Sequence, residues 1–244
     1  MNLNQTIYRL FCAIIVTLVA VFGLNPSAYA DTFYVDGSSG SDTNDGSTWS
    51  NAFKTVQKAL DEASIGAPHE IWVVAGIYYP DEIDGQDSDD REDTFSLVDG
   101  VKLYGGFDGT EVFLVDRDPE NNITILSGDI DQDGQPDSNS YNVLRAFQVG
   151  PTTVLNGFTV TAGNGDGLMF PYNSAGAMLI DSSSPVVVRC RFVENLGGGT
   201  GAIYWPGGLM QGNPAAAVPA FMVNCEFIDN QTTGEDHREE KVSG

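Results

Sequence analysis

The sequence predicts an all-β fold: a right-handed parallel β-helix with an N-terminal capping α-helix. Three observations carry that prediction. CRFVEN (190–195) returns almost unchanged as CEFIDN (225–230), 35 residues later. Strand-like runs of four to seven residues follow one another from residue 70 with no second helical pattern between them. A repeat period between twenty and fifty residues marks a solenoid or a propeller, and two or three strands per unit are too few for a propeller blade.

The elements follow in order. Phe33 to Val35 reads as a short strand, and the Gly, Ser, Asn and Asp of 36–47 read as loop. Asp42, Asn44 and Asp45 belong there as turn formers that bind nearby backbone. Ser50 is a suitable N-cap; Phe53, Val56, Leu60 and Ala63 then recur at helical spacing, and Gly66 follows as a stop. These signals place a helix over 51–64. Strand patterns come next at 70–79, 94–109, 121–130, 143–150, 153–164, 175–181, 185–195, 200–205 and 219–230. With no crossover helices, the choices are sandwich, barrel or solenoid.

The repeat selects the solenoid. With Cys190 set on Cys225, GAMLID aligns with GAIYW, and Phe158 and Val160 fall where Cys190 and Phe192 fall, 32 residues earlier. In a parallel β-helix equivalent positions stack about 4.8 Å apart, so like lies on like. Alternation points Val188, Cys190 and Phe192 inward with Val223, Cys225 and Phe227 above them. Arg189 and Arg191 then face outward with Asn224 and Glu226. Asn195 over Asn230 is expected at a turn, where amides bond their copies and the bent backbone. Stacked Cys190 and Cys225 lie close enough for a disulfide, but parallel side chains favour buried free thiols.

Residues 1–30 read as a secretory signal peptide: Arg9, an apolar run from Leu10 to Gly23, and Ala28-Tyr29-Ala30 as the cleavage site. No later segment is apolar enough to span a bilayer as a helix. The expected location is therefore secreted or cell-surface, with outer-membrane association open. Eleven Lys and Arg stand against 34 Asp and Glu, a net charge of −23. Such a surface repels nucleic acid, anionic lipid and polyuronates, unless Ca²⁺ bridges the last. Two histidines, His69 and His237, leave little for zinc sites or histidine triads.

FVEN and FIDN fit an FxxN motif, and GAI (201–203) fits the core of GGA[ILV]. With YVDGSSGSDTNDG, EIWVVAGIYYP, VKLYGGFDGTE and TILSGDIDQDG ahead of them, the chain resembles the repeats of chlamydial polymorphic outer membrane proteins and pectin-lyase-like surface proteins. The resemblance spans roughly 33–230 and implies the β-helix over 31–230. Ala175 and Thr200 stand where the motif's first glycine would be, and WPGGLMQGNPAAAVP (205–219) lengthens one coil. The polar tail 231–244 is expected to be disordered, or the mark of a truncated or separately capped solenoid.

DIDQDGQPD (129–137) is the sharpest site motif. Asp129, Asp131 and Asp133 alternate, Gly134 allows a tight turn and Asp137 sits at the ninth place, the order of an EF-hand-type calcium loop. Ser140 holds the twelfth place, where a bidentate Glu is usual. The run 80–93 holds eight acids and one Arg and reads as a solvated loop. Arg189 and Arg191 could grip a carboxylate, although Glu226 is expected to pair with Arg191. Trp49, Trp72 and Trp205 are candidate sugar-stacking surfaces, with Trp72 expected in the core.

The functional expectation is an exported, non-enzymatic surface protein that binds a glycan or cell-surface partner, adhesin-like, with Ca²⁺ as its one candidate cofactor. The alternative is a Ca²⁺-dependent polysaccharide lyase, which needs acids and a base converging in one groove.

Overall fold

The computed structural model describes residues 32–66, 69–83, 88–205 and 221–233. The proposed leader, His237 and most of the polar tail lie outside the described residues, as does nearly all of the 205–219 insertion.

The chain winds into a parallel β-solenoid of about five turns with one α-helix near its N-terminal end. The largest sheet takes one strand per turn: β1 (Thr32–Val35), β2 (Glu70–Val74), β5 (Lys102–Phe107), β8 (Val154–Asn156), β12 (Val186–Val188) and β16 (Phe221–Val223). A second face stacks β3 (Gly76–Tyr78), β6 (Thr124–Ser127), β9 (Phe158–Thr161), β13 (Arg191–Val193) and β17 (Glu226–Ile228). A third stacks β4 (Phe95–Leu97), β7 (Leu144–Phe147), β11 (Met178–Asp181) and β15 (Ile203–Tyr204). A short fourth face joins β10 (Asn164–Gly165), β14 (Leu196–Gly197) and β18 (Gln231–Thr232). β18 carries the solenoid two residues past its expected end at 230.

The three longer faces send apolar columns into the interior. On the first, Phe33, Ile71, Leu103, Leu155, Val187 and Met222 align in register. On the second the column is Tyr78, Leu126, Val160, Phe192 and Phe227. On the third, Phe95, Leu144, Met178 and Ile203 align. Apart from the exposed Phe227 these residues belong to one continuous core, and burying a side chain of this size contributes about 1.5–3 kcal/mol.

Val187, and not Val188, is the inward residue of its strand. Val188 and Val223 align, but on the outer side, and Val223 is exposed. The expected alternation fails because Arg189 and Asn224 adopt left-handed backbone (φ 52° and 53°), turning a corner between the first two faces. Strict alternation holds only within an unbroken strand. Beyond the corner Cys190 and Phe192 are fully buried, as expected, and Phe192 stacks on Phe227 at 5.1 Å. Cys190 and Cys225 are free thiols, and burial pushes the Cys190 thiol up to about 12.

The helix is shorter than expected. A 3-10 turn occupies Trp49–Asn51 and the α-helix, α1, spans Val56–Ala63, capped by Thr55 rather than Ser50. Between them Phe53 pairs with Val35 as an isolated bridge, which extends the chain where helix was expected. Asp42 fixes the start: its carboxylate accepts from the N–H groups of Lys54 and Thr55 and from the Thr55 hydroxyl. Val56, Ala59, Leu60 and Ala63 face the core at the solenoid's first turn. Such a cover is what a solenoid end requires.

The glycines of the two GA motifs have a packing role. Gly176 donates to the Gly201 carbonyl and Ala177 to that of Ala202, so the motifs stack as aligned. A Cβ at Gly176 would collide with the Leu196 carbonyl, and one at Gly201 with the backbone of Gln231.

Candidate functional site

Three loops stack on one flank, two leaving the far edge of the second face and one leaving the short fourth face. They run from β3 to β4 (79–94), from β6 to β7 (128–143) and from β10 to β11 (166–177). Arg91, the one cation of the acidic run, ties them together. Its guanidinium donates to the Asn139 carbonyl at 2.7 Å, the Asn164 carbonyl at 3.1 Å and the Asp166 carboxylate at 2.6 Å. It also lies 4.2 Å over the Tyr141 ring. Tyr141 packs on Tyr172 at 5.0 Å, and the Tyr172 hydroxyl donates to Glu92, which raises its pKa. Sequence reasoning passed Arg91 over, although a lone cation among eight acids was its signal.

The middle loop carries the DIDQDG motif. Ligand oxygens of Asp129, Asp131 and Asp133 lie within 4.8 Å of one another, while Asp137 stands outside this group. The turn closes on itself: Asp129 accepts from Gly134 N–H at 3.2 Å and Asp133 from Gln135 N–H at 2.7 Å. Gln132 and Gly134 supply the left-handed backbone (φ 55° and 73°) that folds the three carboxylates together. No Lys or Arg pairs with any of the three among the described residues. The acidic run approaches them: Gln132 donates to Glu82 at 3.3 Å. Burial, then the charges of Asp129, Glu82 and Asp81, raises the Tyr79 pKa. Beside the loop is a groove of about 590 Å³ lined by Asp129, Asn139, Ala162, Glu194 and Asp229.

Arg189 and Arg191 occupy another groove, of about 690 Å³, with Pro119, Ile123, Asn224 and Glu226. Arg191 pairs with Glu226 at 3.0 Å on the exposed surface, an interaction of about 0–1 kcal/mol. This groove lies at the near edge of the second face, where β13 and β17 begin, whereas the three acids follow β6 at the far edge. At about 3.3 Å per residue the strand between sets them roughly 15 Å apart. The candidate base and the candidate metal ligands therefore do not converge.

The tryptophans divide. Trp72 is buried on the outer side of the first face against Phe107 (4.7 Å) and Trp49 (6.4 Å). Trp49 donates to the Glu111 carbonyl and closes that cluster. Trp205 is 40% exposed. Its neighbour Tyr204 faces Phe170 at 6.2 Å. The third loop ends in an apolar tip, with Leu168 98%, Met169 67% and Phe170 51% exposed.

The structure thus defines the class as a parallel β-solenoid bearing a loop-built flank. No family model, curated protein or solved structure matches this chain. Among the described residues no helix is long and apolar enough to cross a membrane.

Proposed function

We propose that this chain is an exported, non-catalytic surface solenoid that binds a glycan or cell-surface partner through its three-loop flank. The carrying observation is the Leu168-Met169-Phe170 tip. Three consecutive large apolar side chains face solvent on a loop held down by Arg91 and Tyr172. A clustered apolar surface of that kind favours a partner. Tyr172, Tyr204 and Trp205 add aromatic faces, and Glu92 beside Tyr172 is a carboxylate that can accept sugar hydroxyl protons. The reading includes a right-handed winding and kinship with pectin-lyase-like and polymorphic outer membrane surface proteins, both supported by the FxxN and GA motifs.

The separation of Arg189 and Arg191 from the acid cluster favours binding over the lyase alternative. The test is binding of the exported chain to a panel of polysaccharides and to whole cells, with Leu168→Ser/Phe170→Ser as the comparison. Retention by the wild-type chain and loss in the double variant is the expected result. Equal binding by both proteins, or release of unsaturated products from a polyuronate, would overturn the proposal.

A further inference from the structure

We infer that the loop 129–140 is a Ca²⁺ site completed by the side-chain oxygens of Asn139 and Ser140 in place of the missing acidic ligand, and that the cation clasps the three-loop flank. The inference does not depend on what the flank binds.

Two independent observations carry it. The first is the convergence of Asp129, Asp131 and Asp133 within 4.8 Å with no basic partner. Three like charges so close repel, and one Asp131 oxygen is shielded from water and lacks any hydrogen-bond donor. A carboxylate oxygen in that state demands a cation. The second lies on the same loop. Asn139 is 5% exposed and Ser140 is fully buried, and Asn139 Oδ1 and Ser140 Oγ also lack partners. Buried polar atoms are nearly always satisfied, so orphaned oxygens on the loop that carries the three carboxylates point to one missing partner. Asn139 lines the same groove as Asp129.

An all-oxygen donor set of this kind suits a hard divalent cation. Neutral oxygens in place of a bidentate Glu lower the ligand charge, which places the affinity in the extracellular range of about 10⁻⁴–10⁻³ M. The site is joined to its neighbours by short routes. Asn139 also offers its carbonyl to Arg91, which grips Asp166 at the root of the apolar tip. Asn164 Nδ2 donates to the Pro136 carbonyl at 2.6 Å. A cation that fixes 129–140 therefore fixes 164–166 as well.

The experiment titrates the exported chain with Ca²⁺ by calorimetry and with Tb³⁺ by luminescence, since Tyr79 follows the Tyr78–Leu126 pair at the edge from which Asp129 leaves β6, a place from which it can sensitise a bound lanthanide. Saturable 1:1 binding is expected, weakened at least about 10-fold in Asp131→Asn and about 3-fold in Asn139→Ala, and unchanged in Asp137→Asn. Tyr79→Leu should cut the emission without changing affinity. Far-UV circular dichroism checks that each variant folds, and Asp133→Asn replaces any that does not. Amide exchange across 164–174 should slow with Ca²⁺ in the wild-type chain and in Asp137→Asn, and slow less in Asp131→Asn at the same Ca²⁺ concentration. No saturable binding, or affinity unchanged from wild type in Asp131→Asn and Asp133→Asn, overturns the site. Binding that leaves 164–174 exchange unchanged overturns the clasp.

Discussion

Asn195→Ala removes a side chain that holds three turns together. Asn195 is fully buried at the corner after β13. Its Nδ2 donates to the Val160 carbonyl of the preceding turn at 3.0 Å and to Asn230 Oδ1 of the following turn at 2.9 Å. Its Oδ1 accepts from the N–H of Gly163 at 3.0 Å, the one acceptor that this donor has among the described residues. Alanine leaves the Gly163 N–H stranded, at about 2 kcal/mol, and forfeits amide bonds of about 1 kcal/mol more. The expected loss is about 3 kcal/mol, a fall in Tm of roughly 6–12 °C for a chain of this size. Urea unfolding followed by circular dichroism measures it. Asn230→Ala is the internal standard. Asn230 donates the equivalent bond to the Phe192 carbonyl at 2.7 Å and its Oδ1 accepts from the Asn195 N–H at 3.1 Å, but it is only half-buried, so water replaces the amide at both and the loss should stay at about 1 kcal/mol. A loss in Asn195→Ala below about 0.5 kcal/mol, or equal to that of Asn230→Ala, would refute the reasoning that stacked amides satisfy the corners.

Other expectations rest on the same columns. Phe192→Ala should destabilise by about 3–5 kcal/mol and Phe227→Ala by about 1 kcal/mol, because Phe192 is fully buried while Phe227 is 53% exposed; chemical denaturation of the pair checks the contrast. Cys190 should resist alkylation in the native state and Cys225 should react, as mass spectrometry after iodoacetamide would show. The Cys190 thiol titrates near 9 when unfolded and about 12 when folded. Above pH 9 the unfolded chain holds fewer protons than the native one, so stability should fall as pH rises from 9 to 12; in Cys190→Ala that part of the slope should vanish. Arg91→Ala should speed amide exchange in 136–141 and 164–166 while leaving the first face protected, since its bonds reach only the flank.

The C-terminal turns were legible because their spacing is nearly constant. Val160, Phe192 and Phe227 lie 32 and 35 residues apart, and each puts a similar side chain on its neighbour. The N-terminal turns belong to the same solenoid, yet Tyr78 and Leu126 are 48 residues apart, because the acidic loop and the 108–123 excursion lie between them. A repeat of unequal length leaves no period to read. The inward face of β12 was misread for a related reason, since alternation carries no information across the Arg189 corner.

The sequence alone determined what local and like-on-like interactions decide: strand character, the stacking of Cys190 on Cys225 and Asn195 on Asn230, and the turn that gathers Asp129, Asp131 and Asp133. Tertiary structure decided what depends on distant groups meeting. Arg91 reaches partners 48 to 75 residues away, Glu92 meets Tyr172 across 80 residues, and no spacing rule announces such contacts. The start of α1 was set by Asp42, thirteen residues before Thr55, against a local cap at Ser50. The solenoid's winding also placed the arginines and the acids on opposite edges of one face. Side chains of either type are common on an acidic surface, and only the path of the backbone settles which of them share a groove.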